Sequence, residues 1–83
     1  MTFRIHIRVM PRAGLLDPQG QAVEQALHAL GFSGAAELRI GRSITFTLRA
    51  ASAEDAAAKG RQMCEKLLAN PVTEDFELQV EAA

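Results

Sequence analysis

The sequence predicts a small α+β domain with the element order β-α-β-β-α-β. Three observations carry that prediction. Apolar residues alternate with polar ones in four separate runs. Two stretches begin with helix-capping residues and continue at helical spacing. Glycine or proline stands at most of the joints between them.

The first run sets Phe3, Ile5, Ile7 and Val9 against Arg4, His6, Arg8 and Met10. Period two gives one apolar and one polar face, so this is a strand. Pro11 ends it by withholding a backbone donor. A loop follows, with Gly14 as its flexible point. Asp17 and Pro18 then open a helix, as an acidic N-cap followed by proline at the first helical position. Val23, Ala26, Leu27 and Leu30 form its apolar stripe, and Gly31 stands where a left-handed cap would end it. Gly20 lies in the first turn, where it costs helix stability relative to alanine, so something is expected to approach the backbone there.

Ala36, Leu38 and Ile40 alternate with Glu37 and Arg39; Ile44, Phe46 and Leu48 alternate with Thr45, Thr47 and Arg49. Gly41 and Arg42 between them have the composition of a type II′ turn, so the two runs are expected to pair as a hairpin. Ser52, followed by Glu54 and Asp55, caps a second helix whose stripe includes Ala56, Gly60, Met63, Cys64 and Leu67. Asn70 and Pro71 stop it. Phe76, Leu78 and Val80 make the last strand, and Ala82 and Ala83 should fray. Two right-handed β-α-β units in this order give a ferredoxin-like sandwich: a four-stranded antiparallel sheet with both helices on one face.

The 83 residues suffice for one domain, spanning 1–83. A domain of this size buries roughly 60–65% of its unfolded-chain surface, and association with another chain would add stability. With 9 Lys+Arg against 10 Asp+Glu the chain has no net basic character, which argues against a nucleic-acid partner. The first ten residues lack the unbroken apolar stretch of ~18 residues that a membrane span needs. Cys64 is alone, so it forms no internal disulfide and no four-cysteine zinc site, and a reducing, cytoplasmic setting fits.

Candidate chemistry is sparse. The polar sheet face should carry Arg4, His6, Arg8 and Arg49 near its middle and Glu77, Gln79 and Glu81 on a neighbouring edge. RNA-binding sheets of this topology stack bases on central aromatics. Here those positions hold Arg, His and Thr. His6 and His28 are far apart in sequence, without a Ser or Cys partner in a triad arrangement. Cys64 belongs to an apolar stripe and reads as core rather than nucleophile. Glycine spacing does not form a phosphate loop. No catalytic, cofactor-binding or metal-binding residue is assigned. The candidates for contact are loops held by a rigid scaffold: Asp17, Pro18, Gln19 and Gly20 at the first helix start, and Arg39, Gly41 and Arg42 at the expected hairpin tip. A regulatory dimer that binds a small molecule between subunits is the alternative from a different class.

Three stretches resemble the PurS family: Leu16-Asp17-Pro18-Gln19-Gly20-Gln21-Ala22-Val23-Glu24-Gln25-Ala26-Leu27, Leu38-Arg39-Ile40-Gly41-Arg42, and Met63-Cys64-Glu65-Lys66-Leu67-Leu68-Ala69-Asn70-Pro71-Val72. The resemblance runs through essentially the whole chain. It departs in the lead into the first helix, where the family's Lys-Pro-Gly-type sequence is replaced by Pro11-Arg12-Ala13-Gly14. PurS is the small subunit of phosphoribosylformylglycinamidine synthase, which makes the amidine from formylglycinamide ribonucleotide, ATP and glutamine in purine biosynthesis. The resemblance implies a non-catalytic homodimer. It would bridge an ATP-dependent synthetase subunit and a glutaminase subunit and support ammonia transfer. It also implies no cofactor on this subunit, with ATP and magnesium used elsewhere in the complex.

Overall fold

Ten residues of β1 (Thr2–Pro11) form the axis of the structure. The structure is a computed structural model that describes residues 1–83. After β1 come α1 (Pro18–Ala29), β2 (Arg42–Arg49), α2 (Ala53–Met63) and β3 (Glu74–Ala82). The sheet has three strands in the order β2-β1-β3, all antiparallel. Ile5 faces Phe46 on one side and Val80 on the other, and Ile7 faces Ile44 and Leu78. The period-two pattern places Phe3, Ile5, Ile7 and Val9 together on one face, where none is more than 4% exposed.

α2 covers that face over β1 and β3. Ser52 caps it by accepting the Asp55 amide at 3.1 Å. Ala56 and Gly60 allow close approach to the sheet: a Cβ on Gly60 would lie 2.9 Å from a Leu78 methyl. Beyond Met63 the helix widens into a π-helical turn, Cys64–Leu68, closed by the Ala69 amide on the Cys64 carbonyl at 3.0 Å. The extra residue keeps Cys64 in the core and leaves Leu67 83% exposed.

The expected fourth strand is absent. Residues 36–40 join no ladder, and Gly41-Arg42 is not a hairpin turn, because β2 begins at Arg42 itself. Two of the segment's donors are taken instead by side chains of α1 and its N-cap. Leu38 N–H donates to Glu24 Oε1 at 2.8 Å and Ile40 N–H to Asp17 Oδ2 at 3.0 Å. Glu37, with φ 55°, breaks the strand geometry besides.

The two-helix layer is likewise half built. α1 contributes nothing to the hydrophobic core and does not pack on the sheet as α2 does. Together with its strap, residues 36–40, it forms an arm, 12–41, that leaves and rejoins the sheet at one end, where Val9 pairs with Arg42. The molecule is therefore long, 51 × 26 × 14 Å. Its radius of gyration is 16.2 Å, against about 12 Å for a compact chain of this length. The C-terminus does not fray as expected: Ala82 pairs with Phe3, and Ala83 N–H donates to the Thr2 carbonyl at 3.2 Å.

Candidate functional site

The candidate contact residues separate into two places. Asp17, Pro18, Gln19, Gly20 and Arg39 lie on the arm, where Asp17 is the organising group. One of its carboxylate oxygens accepts the Gly20 amide at 3.0 Å and caps α1; the other accepts the Ile40 amide and fastens the strap. The Gly20 N–H, then the Ile40 N–H, hold the Asp17 carboxyl below its ordinary value, and the nearby Arg39 charge acts in the same direction. Gly20 is buried because the strap crosses it. A Cβ there would meet the Asp17 carboxylate and lie 2.6 Å from the Leu38 carbonyl, which is the close approach its first-turn position suggested. Pro18, Gln19 and Arg39 stay exposed on this fastened platform.

Arg42 does not share a tip with Arg39. It opens β2, and its guanidinium takes both oxygens of Glu74 at 2.7 and 2.9 Å and the Leu68 carbonyl at 2.8 Å. Glu74 also accepts the Asn70 amide at 2.8 Å. Arg42 therefore ties β2 to β3 and to the end of the π-helical turn. The pair shifts mutually: the Glu74 carboxyl is held down by Arg42 first and the Asn70 amide second, and Arg42 is pushed up by Glu74. Gly41 sits against the end of β1, where a Cβ would collide with the Val9 carbonyl and the Met10 sulfur.

On the helix-free sheet face two of the predicted charged residues find partners across β1 and β3. His6 bonds Glu81 at 2.7 Å, and Arg8 reaches Glu77 at 3.4 Å. His6 lowers the Glu81 carboxyl, first through that hydrogen bond and then by charge. His28 lies elsewhere, on α1, with Nε2 2.6 Å from the Ala35 carbonyl. Cys64 is fully buried, and desolvation pushes its thiol up.

One feature escaped sequence reasoning. Since α2 covers β1 and β3, the apolar face of β2 is left open. A groove of about 620 Å³ runs between Phe46 and Leu48 on one side and Met63, Leu67 and Leu68 on the other. The adjacent Leu67-Leu68 pair was its only sequence signal, because two neighbours cannot both point into one core from a regular helix.

The PurS family model, described as phosphoribosylformylglycinamidine (FGAM) synthase, matches residues 4–82. The phosphoribosylformylglycinamidine synthase subunit PurS of Bacillus subtilis is 38% identical over 79 residues, which cover 95% of this chain and 93% of that one. The crystal structure of B. subtilis PurS superposes with a TM-score of 0.86 over 95% of this chain and 98% of its own. A chain in the structure of PurLQS from Thermotoga maritima superposes with a TM-score of 0.88 at 32% identity, covering 98% and 99%. On sequence and fold together, this chain belongs to the PurS family.

Proposed function

We propose that the chain is the small, non-catalytic subunit of a phosphoribosylformylglycinamidine synthase of purine biosynthesis. It works in the cytoplasm as a homodimer that bridges the ATP-dependent synthetase subunit and the glutaminase subunit. The observation that carries this reading is the superposition, over nearly its full length, on a chain of the T. maritima PurLQS structure. The exposed Pro18, Gln19 and Arg39 dock against the larger subunits, while Asp17, Gly20, Gly41 and Arg42 hold the loops in shape for that contact. ATP and magnesium belong to the larger subunits, and this chain contributes surfaces rather than reacting groups. Ammonia released by the glutaminase is kept from bulk water on its way to the synthetase, where protonation would remove its nucleophilic lone pair.

Sedimentation of a mixture of the three subunits tests the docking part. One species containing all three is expected, and Gln19→Glu combined with Arg39→Glu should weaken it without unfolding the chain. Independent sedimentation of this chain at working concentrations would contradict it.

A further inference from the structure

The arm, 12–41, is held at both of its ends by one short segment, 68–75, which joins the π-helical turn to β3. At the entry, Arg12 gives its backbone N–H to the Thr73 carbonyl at 2.9 Å and a guanidinium N–H to the Pro71 carbonyl at 2.6 Å. Its Nε lies 3.3 Å from Asp75. At the exit, Arg42 reaches from β2 across the end of β1 to Glu74 and to the Leu68 carbonyl.

The two clasps share their backing. The carbonyl of Pro71 and the N–H of Val72 belong to one planar peptide unit, and so do the carbonyl of Thr73 and the N–H of Glu74. In both units the carbonyl accepts from Arg12 while the N–H donates to Asn70. Val72 reaches Asn70 Oδ1 at 2.9 Å, and Glu74 reaches the Asn70 carbonyl at 2.9 Å. Asn70 in turn gives its own N–H to Glu74 Oε1 at 2.8 Å, the oxygen that also accepts from Arg42 at 2.9 Å. A rigid unit that turns to release Arg12 moves its N–H off Asn70 as well. Asn70 is what keeps the Glu74 carboxylate aimed at Arg42. Hydrogen bonds and planar units therefore run without a break from one end of the arm to the other. Neither clasp is locked. The Arg12 and Arg42 side chains are 46% and 51% exposed, so water can take over their contacts and each opens at low cost.

We propose that segment 68–75 couples the two ends of the arm, so that the clasps at Arg12 and Arg42 open together and the arm swings as one body when they do. Leu68 is the last residue of the π-helical turn, so the position of Leu67 and of the groove it lines follows the state of the clasps. A larger subunit seated on Pro18, Gln19 and Arg39 then stiffens that turn from a distance, a consequence that rests on the docking reading above.

Residue-resolved amide exchange in the full chain tests the coupling. The Asn70 amide reports the Arg42 side, and the amide of residue 12 reports the Arg12 side. Arg12→Gln should accelerate exchange at Asn70, and Arg42→Gln at residue 12. The two factors should be similar, about fivefold or more, because coupling between two equilibria is reciprocal. The double variant should fall short of the product of the single effects. The Asp55 amide, held by Ser52 at the other end of α2, should keep its rate. Arg42→Lys keeps the charge and loses the fork. It should act in the same direction by a smaller factor, and it supplies the measurement if Arg42→Gln unfolds. Acceleration confined to the altered end, with the double variant at the product, would overturn the coupling. So would equal acceleration at Asp55, the mark of a general loss of stability. With the larger subunits bound, exchange at Asn70 and Val72 should slow in the wild type and not in Arg12→Gln. A complex that leaves wild-type exchange unchanged, or slows both chains alike, would overturn the transmission. Failure to form a complex would contradict the docking reading alone, since the reciprocal factors are measured on this chain by itself.

Discussion

Arg42 holds Glu74 through two parallel hydrogen bonds and gives another N–H to the Leu68 carbonyl. The sequence separates these residues by an entire helix, yet they join the first residue of β2 to the first residue of β3. A planar guanidinium fork meets both carboxylate oxygens side by side while a further N–H reaches the carbonyl, a geometry that a lysine ammonium does not reproduce. Arg42→Lys should therefore lose most of the clasp, and Arg42→Ala should cost about 1–2 kcal/mol in urea unfolding, allowing for partial solvent exposure. Equal stability of Arg42→Ala and wild type would show that the clasp contributes nothing.

Acid should weaken the fold in a defined window. The Glu74 carboxyl is ordinarily near 4.5 and is depressed in the folded chain, so the unfolded chain takes up its proton first as pH falls. Asp17 and Asp55, ordinarily near 3.8, and Glu81, near 4.5, are depressed as well. Their contribution is complete above the unfolded values and drains as pH drops through about 4.5 toward the lower folded values. Urea midpoints between pH 7 and pH 3 should fall over that range, and Glu74→Gln should flatten the slope. An unchanged slope in the variant would remove Glu74 from the account.

Gly20→Ala gains about 1 kcal/mol of helix propensity but must place a methyl against the Leu38 carbonyl. The clash is with backbone and should win, for a net loss of about 1 kcal/mol. Its signature is local. Amide exchange should accelerate at Leu38 and Ile40, whose N–H groups are held by α1, and remain slow in β1. Uniform acceleration across the sheet would show that arm and core unfold together.

Ile5→Ala and Leu30→Ala remove similar volumes with opposite consequences. Ile5 is fully buried in the middle of the sheet, and its truncation should cost about 3–4 kcal/mol, enough to threaten a domain of this size. Leu30 is largely exposed, so its truncation should leave the stability of a dilute single chain within about 0.5 kcal/mol of wild type. Calorimetry at low protein concentration separates the two.

The strands whose alternation faces a partner were legible from sequence, as were the Asp17 and Ser52 caps, the Gly31 cap and the crossing at Gly20. In each, the deciding interaction lies within a few residues or follows from burial of one face. The 36–40 segment misled because alternation says nothing about whether a neighbouring strand is there to pair with. Its amides found Asp17 and Glu24 instead, at separations of 23 and 14 residues. The placement of α1 was illegible for a related reason: an apolar stripe asks for an apolar surface without saying whether the sheet supplies it, and here α1 stays out of the core. Among the candidate contact residues, Asp17 and Arg42 proved to be fasteners, a role that depends on Ile40 and Glu74 arriving from elsewhere in the fold.

The central claim is that this chain serves an enzyme by docking rather than by reacting. Glutamine-dependent amidine formation by the synthetase and glutaminase subunits, measured with and without this chain, tests it most directly. Turnover with glutamine should need all three chains, whereas the synthetase supplied with free ammonia should proceed without this one. Equal glutamine-dependent turnover in its absence, or turnover by this chain alone, would contradict the account.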